Sequence, residues 1–163
     1  MPRLKVLTFP DPRLRKVAVP VTKFDKSLEI ITSNMLETMY AEEGIGLAAT
    51  QVDIHERIIV MDLSEERNEP KIFINNEFKI LNDKSLLSFT EGCLSVPGIT
   101  EEITRPDNIY LSWQDIKGDF HEAEPSGLLT VCIQHEIDHL EGKLMVDYLS
   151  PLKRDRIRKK ASK

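Results

Sequence analysis

The chain has 163 residues and a formal net charge of −5, with 40% of its residues hydrophobic and 30% charged. At that length one core buries roughly 70% of the unfolded surface, which predicts a single domain over residues 1–163 without a disulfide staple. The longest apolar run, Ile58 to Met61, has four residues, against about 20 for a membrane span and about 7–15 for an export-signal core, which argues for a cytoplasmic protein with no membrane contact.

The first 24 residues carry Pro2, Pro10, Pro12 and Pro20, which bars a long helix there and predicts an extended arm. Asp25 is placed to cap a helix in which Leu28, Ile31, Met35 and Met39 recur at helical spacing until Gly44 stops it. Strand-like segments follow at 57–62 and 71–81, then a hairpin over 108–122 that turns near 115–118. A second helix is predicted over 127–141, capped by Ser126, with Leu129, Ile133, Ile137 and Leu140 as its apolar stripe and Gly142 just past its end. A last helix starts near Ser150 and Pro151. Its end is basic: residues 153–163 hold seven Lys and Arg against Asp155, a local charge of +6 that leaves −11 on the remainder. The fold expected is α+β, with mostly antiparallel strands packed around the second helix and an N-terminal and a basic C-terminal helix beside them.

The second helix contains His135-Glu136-Ile137-Asp138-His139. Residues 135 and 139 are separated by roughly 40° around the axis and about 6 Å along it, so their imidazoles can bracket one cation. Glu136 lies beside that face, placed to act as a general base on water without occupying a coordination position. Cys132 shares the face. It sits about 7.5 Å along the axis from the midpoint of the histidines and reaches only about 4–5 Å, so it reads as a small core or pocket-wall residue. Cys93, in Glu91-Gly92-Cys93-Leu94-Ser95, is the better third ligand, expected on a loop that passes over the helix. A thiolate with two imidazoles suits zinc or ferrous iron, and the residues alone leave a buried structural thiol as the alternative. Both cysteines are expected to be thiols. The run 44–51, Gly-Ile-Gly-Leu-Ala-Ala-Thr-Gln, lets another backbone approach closely and matches neither a phosphate loop nor a dinucleotide fingerprint.

Taken together, GIGLAATQ at 44–51, EGCLS at 91–95 and QHEIDHLEG at 134–142 resemble the motifs of the peptide deformylase family, in the family's order. The proline-bearing segment 10–15 and the segment 147–152 extend the likeness over nearly the whole chain. The resemblance implies hydrolytic removal of the formyl group from the N-terminal formyl-methionine of nascent polypeptides. By the same likeness Cys93, His135 and His139 would hold one divalent metal, Fe2+ as the usual ion and Zn2+ as a common substitute. Glu136 would take a proton from water, hydroxide would attack the formyl carbon, and the metal, the Gln51 amide and the Leu94 N–H would meet the oxyanion. The peptide would pair with backbone near Ile45, Gly46 and Gly98, and the methionine side chain would enter a pocket near Phe89, Leu128, Val131 and Cys132. Arg105 resembles an arginine that supports Glu91 in the family. One position departs: Thr100 stands where many bacterial members carry an arginine that helps bind the peptide.

Two other readings use the same residues. A zinc metallopeptidase would share the H-E-x-x-H logic, although a cysteine ligand and the GIGLAATQ segment are foreign to the usual pattern. A non-catalytic metal-binding module would dock on the ribosome through the basic C-terminal helix. That helix makes ribosomal RNA or protein an expected partner, while the acidic body argues against DNA.

Overall fold

The computed structural model describes residues 3–161; Pro2 and Lys163, named above, lie outside the described residues. Among those residues the chain runs α1 (Lys26–Ala41), β1 (Gly46–Ala48), β2 (Ile58–Met61), β3 (Lys71–Ile80), β4 (Leu86–Cys93), β5 (Val96–Pro106), β6 (Ile109–Gln114), β7 (Phe120–Ala123), α2 (Leu128–Leu140) and α3 (Pro151–Ala161). This is the expected α+β arrangement, with every strand pair antiparallel. Among the described residues no helix is long and apolar enough to cross a membrane.

The Asp25 carboxylate accepts from the N–H groups of Ser27 and Leu28 and so starts α1. The helix ends before Gly44. Glu43 takes the left-handed conformation at φ 59°, and Gly44 meets a different demand, since a Cβ there would stand 2.7 Å from Leu94 Cδ1.

Five strands form one sheet in the order β1-β2-β3-β6-β7. Strand alternation sorts its side chains between two layers. Leu47, Ile58, Val60 and Ile74 face α1 with Leu28, Met35 and Met39, whereas Ala48, Ile59, Met61 and Phe73 face α2 with Cys132, Ile133, Ile137 and Leu140. Strand β1 is therefore an edge strand lying beside the H-E-x-x-H helix.

Strands β4 and β5 make a separate two-stranded sheet. This corrects the loop expected around Cys93: the cysteine closes β4 and pairs with Val96, after a register shift at Gly92. The helix start is corrected too. Gly127, at φ 63°, stands at the N-cap of α2 with no side-chain cap bond, in place of Ser126.

The N-terminal arm is extended apart from a single 3-10 turn at Pro12–Arg15. Its N–H groups are tied to the centre of the molecule, Leu7 to the Gln51 carbonyl at 2.7 Å, Phe9 to the Ser95 carbonyl at 2.8 Å and Ala18 to the Leu140 carbonyl at 2.8 Å. Leu7, Phe9 and Leu14 join Val96 and Ile103 of β5 and Ile157 of α3 in a third apolar cluster.

Candidate metal centre

Three chain segments converge at the middle turns of α2. His135 and His139 lie one turn apart with their rings edge to face, centroids 5.0 Å from each other. The end of β4 brings Cys93 over them, its Sγ 3.2 Å from His139 Nε2. One ligand atom from each of Cys93, His135 and His139 lies within 4.8 Å of the others, so that small side-chain shifts would bring all three onto one ion with bonds of about 2.0–2.3 Å. Two imidazoles and a thiolate suit a borderline-soft divalent ion, so the donor chemistry fits the metal that the motif implies. Cys132 lines the adjoining cleft wall, and burial pushes its thiol up to about 12, which keeps it protonated.

Behind the ligands stands a buried ionic cluster. Glu91 Oε1 lies 3.0 Å from His135 Nδ1. Arg105 grips the same carboxylate with Nε at 2.7 Å and Nη2 at 2.9 Å. Its Nη1 donates to Asp138 Oδ2 at 2.9 Å, and the Tyr148 hydroxyl donates to that oxygen at 2.6 Å. Arg105 is 3% exposed and Glu91 6%, so this is a core element and not a surface pair. Burial alone would raise the Glu91 pKa, but His135 and Arg105 outweigh it and hold the carboxyl below its usual range. Burial likewise opposes charge on His135, while Cys93 and Glu91 raise its pKa well above the ordinary value. His139 has no such carboxylate: burial and the neighbouring His135 push its pKa well down, and its Nδ1 is buried without a protein partner.

Glu136 is 5% exposed, and its Oε1 is buried with no protein hydrogen bond. Burial raises its pKa to about 7. A carboxyl at that pKa can both accept and return a proton near neutral pH. Gly46 makes room for it, since a Cβ there would stand 2.4 Å from Glu136 Oε2.

Gln51 is turned by its own backbone surroundings. The Ala48 N–H donates to Oε1 at 2.9 Å, which leaves Nε2 to donate to Ser95 Oγ at 3.0 Å, with Cys93 Sγ 3.7 Å away. The amide N–H groups therefore point toward the metal ligands.

A cleft of about 1100 Å³ opens above these groups. Its lining gathers Ile45, Gly46 and Gln51 from the β1 side, Phe89, Cys93, Leu94 and Gly98 from β4 and β5, and Leu128, Val131, Cys132, His135 and Glu136 from α2. Glu91 and Thr100 also line the cleft, whereas His139 and Arg105 lie outside its lining, His139 beside Cys93 and Arg105 against Glu91. Gly98 takes φ 76° with nothing within 4 Å of where its Cβ would be. Sequence reasoning missed Ser95, Asp138 and Tyr148. Asp138 was legible in principle, standing inside the H-E-x-x-H segment three residues after His135.

The family model for polypeptide deformylase matches residues 3–155. This chain belongs to the polypeptide deformylase family. It is 56% identical to a peptide deformylase of Azotobacter vinelandii over 160 residues, 98% of this chain and 95% of that protein. It is 55% identical to one of Pseudomonas aeruginosa at the same coverage. A crystal structure of a deformylase from Legionella pneumophila superposes with a TM-score of 0.91 at 42% identity, over 99% of this chain and 94% of that one. Another, from Ehrlichia chaffeensis in complex with actinonin, gives 0.92 at 38% identity, over 99% and 97%. The Cys, His and His arrangement is thus the metal centre of a deformylase-family metallohydrolase.

Proposed function

We propose that this chain removes the formyl group from the N-terminal formyl-methionine of nascent polypeptides in the cytoplasm, releasing formate, with residues 1–163 acting as one catalytic domain. The observation that carries this reading is the buried Glu136 carboxyl, free of protein partners, beside the converging Cys93, His135 and His139 at the base of a cleft.

Cys93 Sγ and the two imidazoles would hold one divalent ion, Fe2+ as the native ion and Zn2+ as a substitute. When bound, that ion supplies Lewis acidity and a water of lowered pKa. Glu136 takes the proton of the attacking water on its carboxylate and returns it to the leaving amine nitrogen. The Gln51 Nε2–H and the Leu94 backbone N–H donate to the developing oxyanion of the formyl group. Glu91 orients His135, and Arg105 keeps Glu91 charged.

Phe89, Leu128, Val131 and Cys132 form the methionine pocket, and the peptide adds as an extended strand between Ile45 and Gly46 on one side and Gly98 on the other. Strand addition reads backbone, which suits substrates that differ after the first residue. The basic helix α3 is seated through Ile157 and through the pair Lys153–Glu101 at 3.2 Å, and Lys159 pairs with Asp155 at 3.1 Å; in this reading its exposed Arg156 and Lys160 meet the ribosome. Tail-deleted protein is expected to bind ribosomes more weakly across a salt series, with chemistry on short peptides unchanged.

The decisive test is formate release from formyl-Met-Ala by anaerobically iron-loaded or zinc-loaded chain, wild type against Glu136→Ala. A loss of about 10²–10⁴-fold at unchanged metal content is expected. Folded, metal-loaded wild type that releases no formate, or that cuts internal peptide bonds instead, overturns the reading.

A further inference from the structure

A buried carboxylate outside the cleft organises the segment that enters β1. Asp62 is fully buried, and its two oxygens accept four hydrogen bonds. Oδ1 takes the Ser64 N–H at 2.9 Å and the Ser64 hydroxyl at 2.5 Å. Oδ2 takes the Tyr40 hydroxyl at 2.5 Å and the Glu69 N–H at 3.1 Å. Residues 62–69 are thereby wound around one charge, and Arg67 is set in the left-handed region at φ 58°.

The wound loop reaches back to two consecutive carbonyls. The Asp62 N–H donates to the Ile45 carbonyl at 2.9 Å. Arg67 donates from Nη1 to the Asp62 carbonyl at 2.8 Å and from Nη2 to the Gly44 carbonyl. Its guanidinium also lies over the Tyr40 ring, 5.1 Å from the centroid. Gly44, Ile45 and Gly46 line the cleft, whereas Tyr40, Asp62 and Arg67 do not. Strand β1 contributes only three residues to the sheet, so the backbone just before it depends on this clasp for its position.

We infer that Arg67 is a positioning residue for the substrate chain: by clamping the Gly44 carbonyl it fixes the Ile45–Gly46 edge against which residues beyond the methionine pair. The inference rests on the peptide placement proposed above. A guanidinium can serve two carbonyls through its planar fork, which an ammonium cannot match. Arg67 touches no group placed at the reacting atoms, so its loss acts on peptide affinity and leaves the chemical step alone.

The test uses full-length, iron-loaded protein, with formyl-Met-Ala-Ser compared against a formyl-methionine amide that carries no further residue. Arg67→Ala is expected to raise KM for the longer peptide about tenfold, the factor a hydrogen bond to a charged group commonly carries. kcat on both substrates, and KM for the amide, stay within about twofold. Arg67→Lys recovers only part of the affinity. An equal KM rise on both substrates, a fall in kcat, or an unchanged KM overturns the inference. Wild type that releases no formate fails the deformylation reading and takes this one with it, whereas active wild type with an indifferent Arg67→Ala fails this one alone. If Arg67→Ala does not fold, Arg67→Lys decides; if neither folds, Arg67 is a folding residue and the inference falls.

Discussion

The two walls of the cleft are built on opposite principles. The β1 wall belongs to a five-stranded sheet with apolar layers on both faces, and its open end is tied by hydrogen bonds around one carboxylate. The β4–β5 wall is a lone hairpin whose inward face carries the buried pair Glu91–Arg105 where a sheet usually carries aliphatic side chains. The first wall is held by apolar burial on both faces; the second adds a compensated charge pair to the apolar contacts of Val96 and Ile103. The contrast matches what each delivers: a regular backbone edge on the first side, a charged frame for Cys93 and His135 on the second.

The walls meet at Gln51, which belongs to the first and donates to Ser95 on the second. Gln51→Ala removes the proposed oxyanion donor and the tie together. It is expected to lower kcat about 10²–10³-fold, measured as formate release at saturating substrate and unchanged metal content. A loss confined to KM would make the tie its main role.

The next effect falls on the hairpin alone. Arg105→Ala strands the Glu91 charge in the core, where removal of one ion-pair partner costs about 3–5 kcal/mol, and it frees the carboxylate that orients His135. Urea unfolding should register the first, and a fall of about 10–100-fold in metal affinity by competition with a chelator the second. Full stability after the substitution would show that the apolar contacts of Val96 and Ile103 suffice to hold this wall.

The smallest effect separates the walls by pH. Burial opposes the Asp62 charge, but the Ser64 and Tyr40 hydrogen bonds overcome it and hold the carboxyl well below its usual range. A carboxylate with a depressed folded pKa stabilises fully above the unfolded value of about 4 and loses that contribution as pH falls toward the folded one. Asp62→Asn is expected to lower the urea midpoint at pH 7 and to shrink the difference from wild type at about pH 3.5. Parallel curves at both pH values would contradict the assignment.

The same contrast explains what the sequence disclosed. The regular wall and its helices follow hydrophobic periodicity, so α1 with its Asp25 cap, β2, β3, the β6–β7 turn and α2 are all legible. The hairpin is not. Of its inward positions, Glu91 and Arg105 are charged, and the alternation that marks a half-buried strand is written there in ions. Cys93 consequently reads as part of a loop, although its chemistry reads correctly. Strand β1, three residues of small side chains, falls below any pattern, and Ser126 misleads because Gly127 takes a conformation that places the cap one residue later. The Cys93, His135 and His139 set was legible because donor chemistry and helical spacing survive such local errors, and the same spacing located Glu136, the proposed base. The Asp62 clasp was not, since its members span residues 40–69 and carry no motif.

Cys93 precedes His139 by 46 residues, which gives the centre a history as well as a geometry. During synthesis at about 5–20 residues per second, the thiol exists for roughly 2–9 s before its second imidazole has been made. For that interval it lacks the full pair of imidazoles and the finished helix that later surround it. Ion capture is thus a late event in the life of each molecule, set by the order in which the ribosome delivers the ligands.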